Sequence, residues 1–138
     1  MAAARSGSRP PGIEKLRVLI AERGSGFVVP ESELERLLYR VLEEAGVPAV
    51  VRQVHPPWSP DDRRRFDAVS IAWRVIFEAD GRRWHARMSA FERDRRRDLE
   101  AAAHGYLTIR LTWAQLTMGR HEVIDLIRSA GLHRAQAA

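Results

Sequence analysis

The sequence has no cysteine, and Lys15 is the only lysine among its 23 basic residues. Without thiols the chain forms no disulfide bond, no cysteine-ligated zinc or iron–sulfur centre and no thiol nucleophile. It also has no apolar run near the roughly 20 residues that span a bilayer, and no apolar signal-peptide core at its start. We therefore expect a cytoplasmic protein without a membrane partner.

What the chain does have is the composition of an ordinary globular domain. Its 138 residues are 45% hydrophobic and 30% charged, which fits one compact domain with a core. Small polar residues and prolines predict a disordered leader over 1–11. A short helix and linker are expected over 12–30, a folded domain over 31–131, and a flexible tail over 132–138.

The basic charge is concentrated in one stretch. The net charge is +5, and residues 81–97 alone carry seven arginines against two acids. Arginine binds phosphate through two parallel hydrogen bonds, so this stretch predicts a nucleic-acid partner, although GC-rich genomes also enrich arginine. The arginines expected to hold a nucleic-acid backbone are Arg82, Arg83, Arg87, Arg93, Arg96 and Arg97.

Hydrophobic periodicity predicts an α/β sandwich with a mixed sheet. Ser32 and Glu35 have the spacing of a capping box, which would start a helix that ends near Gly46. The predicted order is this helix to 45, strands at 49–54, 65–71 and 73–80, a helix at 89–104, a strand at 106–111, and helices at 112–118 and 121–130. The three successive strands indicate an antiparallel meander.

The helix predicted at 89–104 has charges among its inner positions. At about 100° per residue, Phe91, Leu99, Ala101 and Ala102 define an apolar side, and Asp94, Arg95 and Asp98 fall within or beside it. Inward charges of this kind predict ion pairs or ligand contacts. The remaining arginines point elsewhere, onto a solvated face or one that follows phosphates: Arg93, Arg96 and Arg97.

Three acids lie within the predicted strands. Glu78 and Asp80 are two residues apart, so they share one face of their strand. Asp67, in the preceding strand, lies beside Glu78 if the two strands form a hairpin. Crowded carboxylates either have raised pKa values or hold a hard cation such as Mg²⁺. The alternative is that each acid pairs with one of the many arginines.

The region 31–118 carries six short motifs in a fixed order: Ser32 with Glu35, Asp67, Glu78 with Asp80 and Gly81, Trp84 with His85, Asp94 with Arg97, and Arg110. Together they resemble the very short patch repair endonuclease-like group of domains within the PD-(D/E)XK nuclease superfamily. The resemblance implies a restriction-endonuclease-like sandwich and a Mg²⁺ site, with Mn²⁺ as a substitute, formed by Asp67, Glu78 and Asp80. It also implies that Arg110 contributes to nucleic-acid binding.

The chain departs from the superfamily at one position. The superfamily has lysine where this sequence has Asp80, although aspartate is common there in the group that the chain resembles. His85 or a crossing arginine could orient the attacking water in place of that lysine; otherwise His85 is a surface or packing residue. Glu35 is either a further site residue or the structural partner of Ser32 in the capping box.

These features predict a Mg²⁺-dependent DNA endonuclease of DNA repair or defence. Its catalytic residues would be Asp67, Glu78, Asp80, His85 and Glu35. A rival prediction is a nucleic-acid-binding module that keeps the fold without catalysis, because the lysine is missing. A third is the effector half of a toxin–antitoxin system, which has a separate partner protein. Cleavage of both strands of a duplex would favour a homodimer.

Overall fold

The computed structural model describes residues 29–81 and 88–137. The predicted leader over 1–11 and most of the segment 12–30 lie outside the described residues. The same holds for four of the predicted site residues: Arg82, Arg83, His85 and Arg87.

The described residues form four helices and four strands in the predicted order. The helices are α1 (Glu31–Ala45), α2 (Met88–Ala103), α3 (Trp113–Thr117) and α4 (Arg120–Ala137), and the strands are β1 (Val50–Val54), β2 (Phe66–Ser70), β3 (Val75–Asp80) and β4 (Leu107–Thr112). All bounds agree with the sequence prediction to within one or two residues, except the end of α4.

The four strands form one mixed sheet in the order β1-β2-β3-β4. β1 pairs antiparallel with β2, and β2 pairs antiparallel with β3, so the predicted meander is confirmed. β4 pairs parallel with β3 after the crossover through α2. The carboxyl ends of β3 and β4 therefore lie side by side, with Asp80 opposite Thr112.

Helices cover both faces of this sheet. The larger core lies between the sheet and helices α1, α3 and α4, where Leu38, Phe77 and Leu116 are fully buried. On the opposite face, Ala101 of α2 packs against β2 and β3. Trp58 covers the same face from the loop before β2, with its ring stacked on that of His104 at a centroid distance of 4.8 Å. The α/β class and the mixed sheet flanked by helices are confirmed.

The start of α1 differs from the prediction. Pro30 occupies the N-cap with extended dihedral angles, and no side chain caps the helix. The Pro30 carbonyl accepts hydrogen bonds from the backbone N–H groups of Glu33 and Leu34. The predicted capping box of Ser32 and Glu35 is wrong, because the helix has already begun when the chain reaches Ser32.

The inner side of α2 also differs from the prediction. Phe91 and Leu99 are 49% and 72% exposed, whereas Asp94 is only 4% exposed. Of the predicted apolar side, Ala101 is buried as expected, whereas Phe91, Leu99 and Ala102 are exposed. Of the charges predicted within or beside it, the inward position of Asp94 is confirmed, and Arg95 is exposed. The small side chain of Ala101 allows the helix to lie close to the sheet, and Arg97 lies on this inner side as well, with its guanidinium carbon 4.5 Å from the Phe66 ring centroid.

α4 runs seven residues beyond its predicted end, so the segment predicted as a flexible tail is helical as far as Ala137. Arg134 in this segment donates hydrogen bonds to the carbonyl oxygens of Trp73 (3.1 Å), Arg74 (3.2 Å) and Gly105 (2.7 Å). Gly131 lies directly against the Trp73 ring. Within the described ranges, no helix is both long and apolar enough to cross a membrane.

Candidate functional site

β2 and β3 separate at Asp67 and Glu78. The last paired residues are Ala68 and Phe77, so Asp67 and Glu78 are the next residues in the antiparallel register. At that point the carboxylates replace the backbone carbonyls as acceptors: Asp67 N–H donates to Glu78 Oε2 (2.9 Å), and Ala79 N–H donates to Asp67 Oδ2 (2.8 Å). The predicted juxtaposition of Asp67 and Glu78 is confirmed.

These two carboxylates lie in the wall of a cavity of about 610 Å³. Its walls come from the start of α1, the start of β2 with the loop before it, the end of β3, the first half of α2, and β4. The charged lining residues are Glu31, Arg64, Asp67, Glu78, Asp80, Arg93, Asp94 and Arg110. The predicted trio of acids in the strands therefore opens into a single cavity.

Burial makes this carboxylate pair difficult to ionise. The pKa of Glu78 is raised to about 7, first by burial and then by the nearby charge of Asp67. The pKa of Asp67 is raised as well, mainly by burial, although its hydrogen bond from Ala79 N–H acts in the opposite direction. The pair is thus poorly compensated in the protein alone, and a bound cation would favour its charged form.

Arg110 of β4 is the main cation beside the pair. Its Nη2 donates to Asp98 Oδ1 at 2.7 Å, and its Nη1 lies 3.8 Å from Glu78 Oε1 and 3.7 Å from Asp94 Oδ2. Burial would lower the pKa of Arg110, but the Asp98 hydrogen bond and the three carboxylates raise it overall. The Arg110 side chain is only 16% exposed, so its main contacts are with the carboxylates of the site.

The three predicted backbone-binding arginines of α2 have different surroundings. Arg93 is exposed and lines the cavity. Arg96 is 81% exposed and pairs with Glu100. Arg97 was predicted to point away from the inner side, and this is wrong: it is half-buried, and its Nη1 is buried with no hydrogen-bond partner within 29–81 and 88–137. The hydrocarbon and guanidinium of Arg97 lie inward because the flat Phe66 ring offers a cation–π surface.

Glu35 lies near the site and does not cap α1. Its Oε2 accepts a hydrogen bond from Gln53 Nε2 (3.0 Å), and its pKa is raised by burial and by the charge of Asp67. It therefore belongs to the same electrostatic cluster as Asp67, while the cavity itself is lined by Glu31, one helical turn earlier.

Two residues of the cavity were missed by the sequence analysis. Arg64 lies at the cavity wall, with its Nη1 3.3 Å from Asp94 Oδ1. Its signal was the run of three arginines at 63–65 directly before the strand that carries Asp67. Glu31 was missed because the helix was expected to start after it.

The donor set fits Mg²⁺ as a two-carboxylate site. Among residues 29–81 and 88–137, no three acidic or histidine side chains are gathered closely enough to hold a metal ion by themselves. Mg²⁺ does not require such a cage, because it commonly binds one or two carboxylates and completes its octahedron with water and substrate phosphate oxygens. Asp67 Oδ1 has no hydrogen-bond partner among the described residues, and it is the oxygen that remains for a metal.

Comparison with protein-family models, with curated proteins and with solved structures found no match to this chain.

Proposed function

We propose that this chain is a Mg²⁺-dependent DNA endonuclease with a restriction-endonuclease-like sandwich. The observation that carries the proposal is the separation of β2 and β3 at Asp67 and Glu78, which places two poorly compensated carboxylates in the wall of an arginine-lined cavity. Buried, crowded carboxylates are costly, so they are typical of sites that work with a cation.

The roles of the residues follow from their positions. Asp67 and Glu78 would hold the metal, and Asp80, two residues along β3 and also in the cavity wall, would orient the attacking water. The bound ion would lower the pKa of that water and offset charge on the scissile phosphate. Arg64 and Arg93, at the cavity wall, would bind the flanking phosphates of the substrate backbone.

The test is the nicking of supercoiled plasmid in Mg²⁺, in Mn²⁺ and in EDTA. We expect metal-dependent nicking by the natural chain, lost at least about a hundredfold in Asp67→Asn and Glu78→Gln, because each removes a metal ligand. Asp125→Asn and Glu122→Gln are the matched controls, since both residues are exposed on α4, and they should cut normally. Nicking in EDTA, or undiminished nicking by Asp67→Asn, would overturn the proposal.

A second candidate function is a nucleic-acid-binding module without catalysis. The observation in its favour is that the basic residues lining the described cavity are all arginines, which do not exchange protons at physiological pH. Arg110 also lies close enough to Glu78 to offset part of its charge. This function predicts salt-sensitive DNA binding in EDTA that Glu78→Gln leaves unchanged, with no nicking in either metal.

A further inference from the structure

Asp67 occupies a gap in the hydrogen bonding of the sheet on both of its sides. The β1–β2 pairing runs through Arg52 with Ala68 and resumes at Val54 with Phe66, so it omits Asp67 and its register partner, Gln53. The β2–β3 pairing ends at Ala68. Asp67 is therefore a strand residue whose backbone is not held by either neighbouring strand in the usual way.

Side chains hold the backbone of Asp67 instead. Its N–H donates to Glu78 Oε2 at 2.9 Å, and its carbonyl oxygen accepts from the Tyr39 hydroxyl at 3.1 Å. Tyr39 reaches this carbonyl from α1, and the Arg52 guanidinium covers its ring at 4.1 Å from the centroid. The peptide of Asp67 is thus fixed from β3 on one side and from α1 on the other.

Gln53 hydrogen-bonds to Tyr39 from a strained backbone conformation. Its φ is +53°, in the left-handed region that non-glycine residues rarely adopt within a strand. From there its Nε2 donates to Glu35 Oε2 (3.0 Å) and to the Tyr39 hydroxyl oxygen (3.4 Å). Such a conformation persists only where the surroundings hold it, and it is typical of functional sites.

We propose that Tyr39 and Gln53 are positioning residues that fix the Asp67 carboxylate in the direction that a divalent cation requires. The inference rests on the proposed function. A side chain follows the orientation of its own backbone, so a peptide free to rotate at Asp67 would move the carboxylate away from Glu78. Mg²⁺ tolerates little departure from octahedral geometry, and its affinity is therefore sensitive to such movement.

The experiment measures the binding of Mn²⁺ alone to the full chain, by the loss of the free-ion signal in electron paramagnetic resonance. Tyr39→Phe removes only the hydroxyl. The matched control is Tyr106→Phe, because Tyr106 is also half-buried beneath an arginine, but its hydroxyl makes no hydrogen bond with the described residues. We expect Tyr39→Phe to weaken Mn²⁺ binding about tenfold, as loss of an outer partner of a ligand commonly does, and Tyr106→Phe to bind normally.

Gln53→Gly separates positioning from stability. Glycine adopts a positive φ without strain, so this variant should melt at the same temperature as the natural chain or higher, yet it lacks the amide that holds Tyr39 and Glu35. Weaker Mn²⁺ binding without loss of thermal stability supports the positioning role. A merely structural role predicts unchanged Mn²⁺ binding, and this variant also decides the question if Tyr39→Phe fails to fold.

The outcomes separate this inference from the proposed function. If the natural chain binds Mn²⁺, Asp67→Asn does not, and both Tyr39→Phe and Gln53→Gly bind normally, only the positioning role is overturned. If the natural chain does not bind Mn²⁺ alone but nicks plasmid with it, the positioning role is overturned and the proposed function stands. If it neither binds Mn²⁺ nor nicks plasmid, both are overturned.

Discussion

Arg110 grips Asp98 with two hydrogen bonds, from Nη2 to Oδ1 at 2.7 Å and from Nε to Oδ2 at 3.4 Å. These hydrogen bonds join β4 to the inner side of α2. The Nη1 atom of the same guanidinium lies within 4.0 Å of a carboxylate oxygen of Glu78 and of Asp94. One cation thus joins three carboxylates from two elements of the site. Its geometry is that of the planar arginine fork, which lysine does not reproduce.

Removal of this cation should destabilise the fold strongly. Arg110→Met should lower the free energy of unfolding by about 3 kcal/mol, because it removes the half-buried cation that Glu78, Asp94 and Asp98 share. Arg110→Lys should recover only part of the loss. Arg36, whose side chain is 63% exposed in its pair with Glu33, is the matched control, and Arg36→Met should cost less than about 0.5 kcal/mol. Urea unfolding measures all three, and equal losses for the variants at 110 and 36 would contradict the role of Arg110.

The raised pKa of Glu78 predicts that stability falls as pH rises. The unfolded chain loses this proton near pH 4.5, whereas the folded chain keeps it until about pH 7. Between these values the folded state holds more protons, so the free energy of unfolding decreases with pH, by about 3 kcal/mol in total from this group. Burial and the charge of Asp67 are the causes.

Glu78→Gln isolates this effect, because glutamine has no proton to lose. Above pH 7 in EDTA the variant should be more stable than the natural chain, and the two should converge toward pH 4.5. Urea unfolding at a series of pH values measures the difference, with Glu122→Gln as an exposed control that shows no such convergence. Parallel pH profiles for the natural chain and Glu78→Gln would show that Glu78 ionises normally.

The contact between Trp73 and Gly131 predicts an unusual response to alanine. Alanine normally stabilises a helix by up to about 1 kcal/mol relative to glycine. A methyl group at 131 would overlap the Trp73 ring, so Gly131→Ala should instead destabilise by about 1–3 kcal/mol. Ser129→Ala, at an exposed position of the same helix, should be neutral or slightly stabilising. Tryptophan fluorescence during urea unfolding measures the stability of both variants. If Gly131→Ala is more stable than the natural chain, the Trp73 ring moves aside without cost.

The position of Arg93 at the cavity wall predicts its part in DNA binding. Arg93→Ala should weaken binding to duplexes of any sequence and reduce the slope of log affinity against log salt by about one. Fluorescence anisotropy with a labelled duplex in EDTA measures the slope. The control is Arg36→Ala, because Arg36 is on α1 and does not line the cavity. This variant should leave the slope unchanged. A loss confined to particular sequences would assign Arg93 to base contacts instead.

The sequence was sufficient for the sheet and for the acidic pair within it. Period-two alternation and turn residues locate β2 and β3, and a hairpin then requires Asp67 to meet Glu78. Gly46 marks the end of α1 correctly, with a positive φ of 73°. These features depend on the local sequence pattern and on the pairing of β2 with β3, and both can be read from short stretches of sequence.

The remainder of the site depends on contacts between distant segments. A helical wheel of α2 places Phe91 inside because it is apolar. The structure leaves Phe91 exposed. The wheel also places Asp94 inside, and what it does not reveal are the arginines that offset this charge, Arg64 and Arg110, which are distant from Asp94 in sequence. Likewise, the Glu35 carboxylate accepts a hydrogen bond from Gln53 of β1 and does not form a capping box with Ser32. Sequence composition does not show which hydrogen-bond or ion-pair partner a long polar side chain has in the fold.

The three carbonyl groups that Arg134 binds make the last turns of α4 part of the folded domain. Two belong to the turn between β2 and β3, and the third belongs to Gly105, two residues before β4, so the last turns of α4 hold the end of the sheet opposite the acidic pair. A chain shortened after Gly131 would retain every catalytic candidate and lose this fastening.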